Sequence, residues 1–303
     1  MQTPIALIIF KRPSTTEKVF QVIRQAQPTK LFVIANAPRE GNEEEAIQCE
    51  QARAIVERVD WDCQVFKRYS PTHNPVGKQI AGGIDWVFEQ VEEAIFIEDD
   101  CLLHPTFFPF CEAMLDRYRN DTRIFSVSAQ NTQMGHRRTE YSYYFSRYAR
   151  LWGWASWRRA WHYYDYSMKY WPEVQRTGLL HNILEDSRSV QYWTDLFDRT
   201  YRGEIQTWDY QWTLSYWLQS GLSIVPEVNL VNHIGFGPDA SHLQTLHTKT
   251  AAMPMAAMEF PLKHPPYVVR HVQADRFTQR VDYEGGWVNQ VKNTVKRMLR
   301  VSA

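Results

Sequence analysis

Glu98-Asp99-Asp100 sets three carboxylates in a row directly after the apolar run Ala94-Ile95-Phe96-Ile97. Adjacent carboxylates are hard oxygen ligands suited to Mn²⁺ or Mg²⁺, and such an ion would neutralise a substrate diphosphate. The bland alternative is a solvated acidic turn favouring the start of the next helix. A further acid, Asp209, lies in Gln206-Thr207-Trp208-Asp209-Tyr210-Gln211-Trp212, framed by tryptophans. Partial burial increases a carboxylate's basicity, which would suit Asp209 to take a proton. Equally, an Asp before Tyr-Gln-Trp-Thr-Leu makes a favourable helix N-cap, worth roughly 1 kcal/mol. Lys78 reads either as a surface lysine or as a point charge meeting phosphate. His233 and His242 sit outside any His-x-His or His-Glu-x-x-His arrangement, so each is hydrogen-bonded structure or, for His242, a phosphate or metal contact.

These residues need elements to position them. Ile95 to Ile97 are β-branched or aromatic, as a strand covered on both faces requires, so the three acids fall just past its carboxyl end. In open α/β sheets that is where ligands bind. Upstream, Ile5 to Phe10 predicts a first strand, and Ser14-Thr15-Thr16-Glu17 has capping-box spacing for a helix to about Ala26. Leu31 to Ala35 predicts a second strand emptying into the turn-rich Asn36-Ala37-Pro38-Arg39-Glu40-Gly41, then a helix from about Asn42 to Val59. Cys63 to Tyr69 predicts a third strand and Lys78 to Val91 a third helix. Four strands alternating with three helices specify a mostly parallel α/β sheet with right-handed crossovers. Both Gly-x-Gly-x-x-Gly and the phosphate-loop pattern are missing from this half, which disfavours a dinucleotide dehydrogenase or an ordinary nucleoside triphosphatase.

After the acids, Phe107 to Arg119 predicts a helix and Ile124 to Ser128 a fifth strand. The character then changes. Of the chain's 12 Trp and 16 Tyr, most fall between Tyr141 and Trp217, interleaved with Arg147, Arg150, Arg158 and Arg159. Most such rings belong to the core, and an exposed minority would form a platform for an acceptor. Basic and aromatic residues together also raise single-stranded nucleic acid, but 34 Lys plus Arg against 34 Asp plus Glu gives no net charge to support it. Helices from about Ser189 to Tyr201 and from the Gln206 to Trp212 segment to about Gln219 follow, then a short strand at Ser223 to Pro226. The four cysteines form no Cys-x-x-Cys pair, and the chain opens without a basic region and long apolar stretch, so reduced thiols in a cytoplasmic protein are expected.

Glu98-Asp99-Asp100 with His104-Pro105-Thr106-Phe107-Phe108, the strand Phe125 to Ala129, Trp208-Asp209, and Ile234-Gly235-Phe236-Gly237 with Ser241-His242 together resemble the GT-A fold nucleotide-sugar glycosyltransferases, most closely the N-acetylglucosaminyltransferase I type and its bacterial relatives. The likeness spans about Ile5 to His242. It implies a GT-A fold, a nucleoside-diphosphate sugar donor such as a UDP-sugar, a glycan or lipid-linked acceptor, and Mn²⁺ or Mg²⁺ as cofactor. On this resemblance Asp100 would bind the metal, Glu98 would approach the nucleoside, Asp99 would orient the sugar or the metal's waters, and Asn36 would lie near the base. Asp209 would be the base of an inverting transfer, and Gly235 to His242 would close over the donor. Where bacterial members tend to carry Asn-Leu-Gly, this chain has Asn74-Pro75-Val76-Gly77-Lys78. Two other readings stay open: a non-catalytic carbohydrate-binding protein on the same fold, and a sugar nucleotidyltransferase, which the missing Gly-rich loop disfavours.

The division expected is a nucleotide-sugar-binding half over 1–130, an acceptor and catalytic-base half over 131–250, and a C-terminal extension over 251–303. In that extension Trp287, Val288, Val291, Val295, Met298 and Leu299 recur at helical spacing opposite Lys292, Lys296, Arg297 and Arg300. This predicts a basic amphipathic helix that packs on the body or rests peripherally on the inner face of an anionic membrane.

Overall fold

A computed structural model describes residues 1–235 and 253–284. The sheet at its centre has the strand order β3-β2-β1-β4-β8-β6-β9-β7. Its first four members, β1 (Ile5–Ile9), β2 (Lys30–Ala35), β3 (Gln64–Tyr69) and β4 (Glu93–Glu98), are parallel and joined through α1 (Pro13–Ala26), α2 (Glu43–Val56) and α3 (Val76–Phe88). Next come β5 (Cys101–Leu103), α4 (Phe107–Arg117), β6 (Ile124–Ser128), β7 (Tyr143–Ser146) and β8 (Trp154–Trp157). The short helices α5 (Arg158–Trp161), α6 (Trp171–Thr177) and α7 (Leu180–Ile183) precede α8 (Ser187–Tyr201), α9 (Asp209–Trp217), β9 (Leu222–Pro226) and β10 (Val231–His233). β8 runs antiparallel to both β4 and β6, and β7 antiparallel to β9, while β6 and β9 are parallel. Six of the eight strands therefore point one way, and the mostly parallel α/β sheet is as expected.

The alternation along β4 shows why the sheet is covered on both faces. Ile95 and Ile97 enter one core with Val19, Phe20 and Ile23 of α1 and Phe107, Phe110 and Met114 of α4. Ala94 and Phe96 enter the other with Ile80 and Ile84 of α3 and the tryptophans Trp154, Trp161, Trp208 and Trp212. That second core is the destination of most aromatic residues in the Tyr141 to Trp217 stretch, and the rings pack as stacked or tilted pairs.

Several local expectations change. The Ser14 capping box does not form: α1 starts at Pro13, with Arg12 preceding it and no side-chain cap, because Glu17 is drawn to Gln21 and Arg58. Cys101 to Leu103 adds a strand the sequence did not predict, pairing antiparallel with β10. α2 ends at Val56, three residues short of the expected Val59, and at its other end Asn42 accepts the Glu45 N–H at 3.0 Å. The stretch after 253 is tied into the body: the helix Val272–Thr278 and the π-helical turn Gln279–Glu284 bury Asp275, Gln279, Asp282 and Glu284 against the aromatic half. The tail carrying Trp287 to Leu299 lies outside the described residues. All four cysteines are free, and no helix among the described residues is long and apolar enough to cross a membrane.

Candidate active site

β4 ends in Glu98, and the turn that follows holds Asp99 and Asp100, both buried, at the carboxyl edge of the parallel strands. Asp99 accepts the Phe10 N–H at 3.0 Å, so the end of β1 fixes one carboxylate. The Arg12 guanidinium, in the turn between β1 and α1, pairs with Asp100 and lies 3.7 Å from Asp99. Burial, then the charges of Asp100, Asp99 and Asp209, push the Glu98 carboxyl up, with Arg12 pulling it back. Asp99 is likewise pushed up by burial and by Asp100, against the pull of Arg12 and the Phe10 N–H.

A second chain segment closes on the same oxygen. Because β10 pairs with β5 in the register His233↔Cys101, His233 comes to Asp100, with Nε2 3.4 Å from Oδ2. The Ile234 N–H donates to the Asp100 carbonyl at 2.8 Å. Gly235 follows so tightly that an added Cβ would fall 2.5 Å from Asp100 Oδ2. Trp152 packs on the imidazole with ring centroids 4.6 Å apart, and burial holds the His233 pKa below its ordinary value, keeping a neutral, ligand-competent ring.

Asp209 reaches the acids through a stack of rings. Phe96, two residues before Glu98, pairs across the sheet with Trp154 and stacks on it at 4.8 Å; Trp154 in turn stacks on Trp208 at 5.5 Å. Trp208 is the residue before Asp209, so one aromatic column carries the acid to within electrostatic reach of Glu98. The capping role does not form. Trp208 occupies the N-cap position without a side-chain cap, Asp209 is the first residue of α9, and its carboxylate takes the Thr207 hydroxyl. Burial, and to a lesser degree the Asp209 charge, pushes the half-buried Tyr192, Tyr210 and Tyr283 up, and Tyr192 and Tyr283 pack ring against ring at 6.1 Å.

The other sequence candidates separate. Asn36 is buried, and its amide clasps two loops: Oδ1 accepts the N–H groups of Ala37 and Asn74 at 3.0 Å, and Nδ2 donates to the Asn74 carbonyl at 2.9 Å. Gln79 of α3 extends the clasp to Ser70 and Asn74. Lys78 is exposed in the first turn of α3. His242 lies outside the described residues, as does the Gly235 to His242 loop beyond Gly235 itself. Sequence reasoning missed Arg12, which stands just past the end of β1, and undervalued His233, whose signal was its position at the end of a short strand.

Among the described residues no group of three or more His, Cys, Asp or Glu is arranged to hold a metal unaided. Asp100 Oδ2 and His233 Nε2, 3.4 Å apart, are the two groups present that would hold a divalent ion, and such an ion would offset the charge of a substrate phosphate. The guanidinium of Arg12 pairs with that same oxygen.

No protein-family profile matches the sequence, and no curated protein matches it. Among solved structures, similar ones are a UDP-glucose pyrophosphorylase complexed with UDP-glucose (14% identity, TM-score 0.28, covering 48% of this chain and 62% of that one), mouse xyloside xylosyltransferase 1 in its apo form (12% identity, TM-score 0.35, 72% and 82%), and the 4-diphosphocytidyl-2C-methyl-D-erythritol synthase of Anaerococcus prevotii DSM 20548 (10% identity, TM-score 0.32, 72% and 96%). The chain thus spans 62% of the length of the pyrophosphorylase. Overlaps this loose leave the fold resting on the strand order itself.

Proposed function

We propose that the chain is a GT-A type glycosyltransferase that moves a sugar from a nucleoside-diphosphate donor, a UDP-sugar in the first instance, to a hydroxyl of a glycan or lipid-linked acceptor with inversion. The observation that carries this reading is the meeting of two acidic elements from opposite halves of the chain: Glu98-Asp99-Asp100 at the end of β4, and Asp209 brought to it by the Phe96-Trp154-Trp208 stack. Asp100 and His233 would hold Mn²⁺ or Mg²⁺, which when bound would neutralise the charge developing on the departing diphosphate. Arg12, released from Asp100, adds a positive charge at the same edge. Asp209 takes the proton of the acceptor hydroxyl, and the tyrosines beside it exclude water and offer ring faces to the acceptor. Asn36, Asn74 and Gln79 fix the loops that border the nucleoside side of the sheet.

The test is a thermal melt with Mn²⁺ and UDP. At ligand about 100 times its dissociation constant, stabilisation of about 2.7 kcal/mol is expected, and Asp100→Ala should abolish it. An undiminished shift in the variant would remove the acids from the donor site.

A further inference from the structure

Two adjoining hollows on the β7 side of the sheet play no part in the chemistry above. The smaller, about 340 Å³, is lined by Arg138, Arg276, Arg280 and His136 around Phe277, with no acid in its wall. Glu185 offsets one of these charges by accepting from Arg276 Nε at 2.6 Å. Arg138 spends its Nε on Gln133 at 2.6 Å and lies over the Phe277 ring at 5.0 Å, while His136 meets that ring edge-on at 5.2 Å. Arg280 has no ion pair among the described residues. The larger hollow, about 710 Å³, shares His136 and is walled by Met134, Val228, Met253, Ala257 and Met258, with Arg137 and Lys263 facing Glu140, Glu227 and Glu259 on its polar side.

We propose that the two hollows form one site for an anionic amphiphile, its phosphate held by the arginines and its apolar chain laid in the methionine-lined hollow. Guanidinium groups match phosphate oxygens in bidentate geometry, and a cluster of three suits a phosphate better than a single carboxylate. Methionine walls adapt to a flexible chain without demanding one shape. Anchoring itself is independent of the donor reading, and binding without nucleotide tests it alone.

The experiment is calorimetric titration of the full chain, without nucleotide or metal, with dodecyl phosphate below its micelle concentration, with inorganic phosphate, and with neutral octaethylene glycol dodecyl ether. If only four methylenes enter the hollow, dodecyl phosphate binds roughly 200-fold tighter than inorganic phosphate, at about 0.8 kcal/mol per methylene. The double variant Arg276→Gln with Arg280→Gln, both positions exposed, weakens dodecyl phosphate at least about 10-fold. Ala257→Trp, which fills the exposed wall of the larger hollow, weakens it while sparing the melting temperature. The proposal is overturned if inorganic phosphate or the neutral ether binds as tightly as dodecyl phosphate, or if either variant leaves its affinity unchanged. Binding to phosphatidylglycerol vesicles with no affinity for the monomer also overturns it, and assigns the arginines to a membrane surface.

Discussion

Gly77 in the first turn of α3 packs against Thr207, two residues before Asp209, and replacing it by alanine gives a number. An added Cβ would stand 2.8 Å from the Thr207 carbonyl carbon, nearer still to its oxygen, and 3.0 Å from the Tyr166 hydroxyl. Ordinary contact begins at 3.4 Å, so backbone must retreat by about 0.6 Å or more. Overpacking of this kind costs about 1–3 kcal/mol. Alanine also gains roughly 1 kcal/mol over glycine in a helix, so the measured loss understates the clash. Gly82, five residues along the same helix, supplies the control: there the Cβ would meet only the Arg68 guanidinium, at 3.4 Å, an ordinary contact. Both substitutions carry a similar propensity gain, and their difference isolates the clash. Urea denaturation should find Gly82→Ala neutral or stabilised and Gly77→Ala lower by about 1–3 kcal/mol. The reasoning fails if the two variants unfold at the same urea concentration. Thr207 also caps the Asp209 carboxylate, so a shift approaching 1 Å should lower transfer on the order of 100-fold while nucleotide binding changes little.

Asp209→Asn should retain Mn²⁺-dependent UDP binding and lose transfer by about 10²-fold or more, since the amide cannot take the proton; near-normal turnover would assign Asp209 to helix packing. Gly235→Ala crowds Asp100 directly and should weaken Mn²⁺-dependent UDP binding as well as lower the melting temperature of the metal-free protein, and equal affinity would separate Gly235 from the donor site. For Asp275, burial raises the carboxyl to about 6 despite the Ser146 hydroxyl, Arg147 and Arg270. A folded pKa above the unfolded value means the protonated form is favoured in the fold, so its contribution is full below about pH 4 and is lost as pH rises through about 6. Relative to Asp275→Asn, the wild type should lose roughly 3 kcal/mol across that window, at 1.36 kcal/mol per pH unit. A difference that is flat with pH would refute the shift.

The parallel half was legible because its signals are local. Strands such as Ile95 to Ile97 announce themselves by β-branched runs, and the acids follow directly in the chain. The antiparallel half was not, since β8 inserts between β4 and β6 through pairings of Phe96 with Trp154 and of Ser128 with Trp154, which no periodicity records. The same holds for the site. Asp100 could be singled out from its neighbours in sequence, but His233 reaches it only through three residue pairs between β5 and β10. A strand that short carries almost no pattern. Arg12 was overlooked because its value lies in a partner 88 residues away.

The burial of Asp275, Asp282 and Glu284 has a consequence for how the chain is made. Arg150 pairs with Asp282, Arg147 lies 3.9 Å from Asp275, and Ser189 donates to Glu284 at 2.9 Å. The Tyr283 ring closes over Trp193 at 4.8 Å. At roughly 5–20 residues per second, the ribosome delivers Asp282 on the order of ten seconds after Arg150. For that interval the aromatic half holds two unmatched arginines and an uncovered indole. The parallel side can assemble from its own neighbours as it emerges, whereas the aromatic half must wait for the last described turn. A nascent chain halted after 250 residues would thus be a sticky, half-finished particle and a natural client for a chaperone.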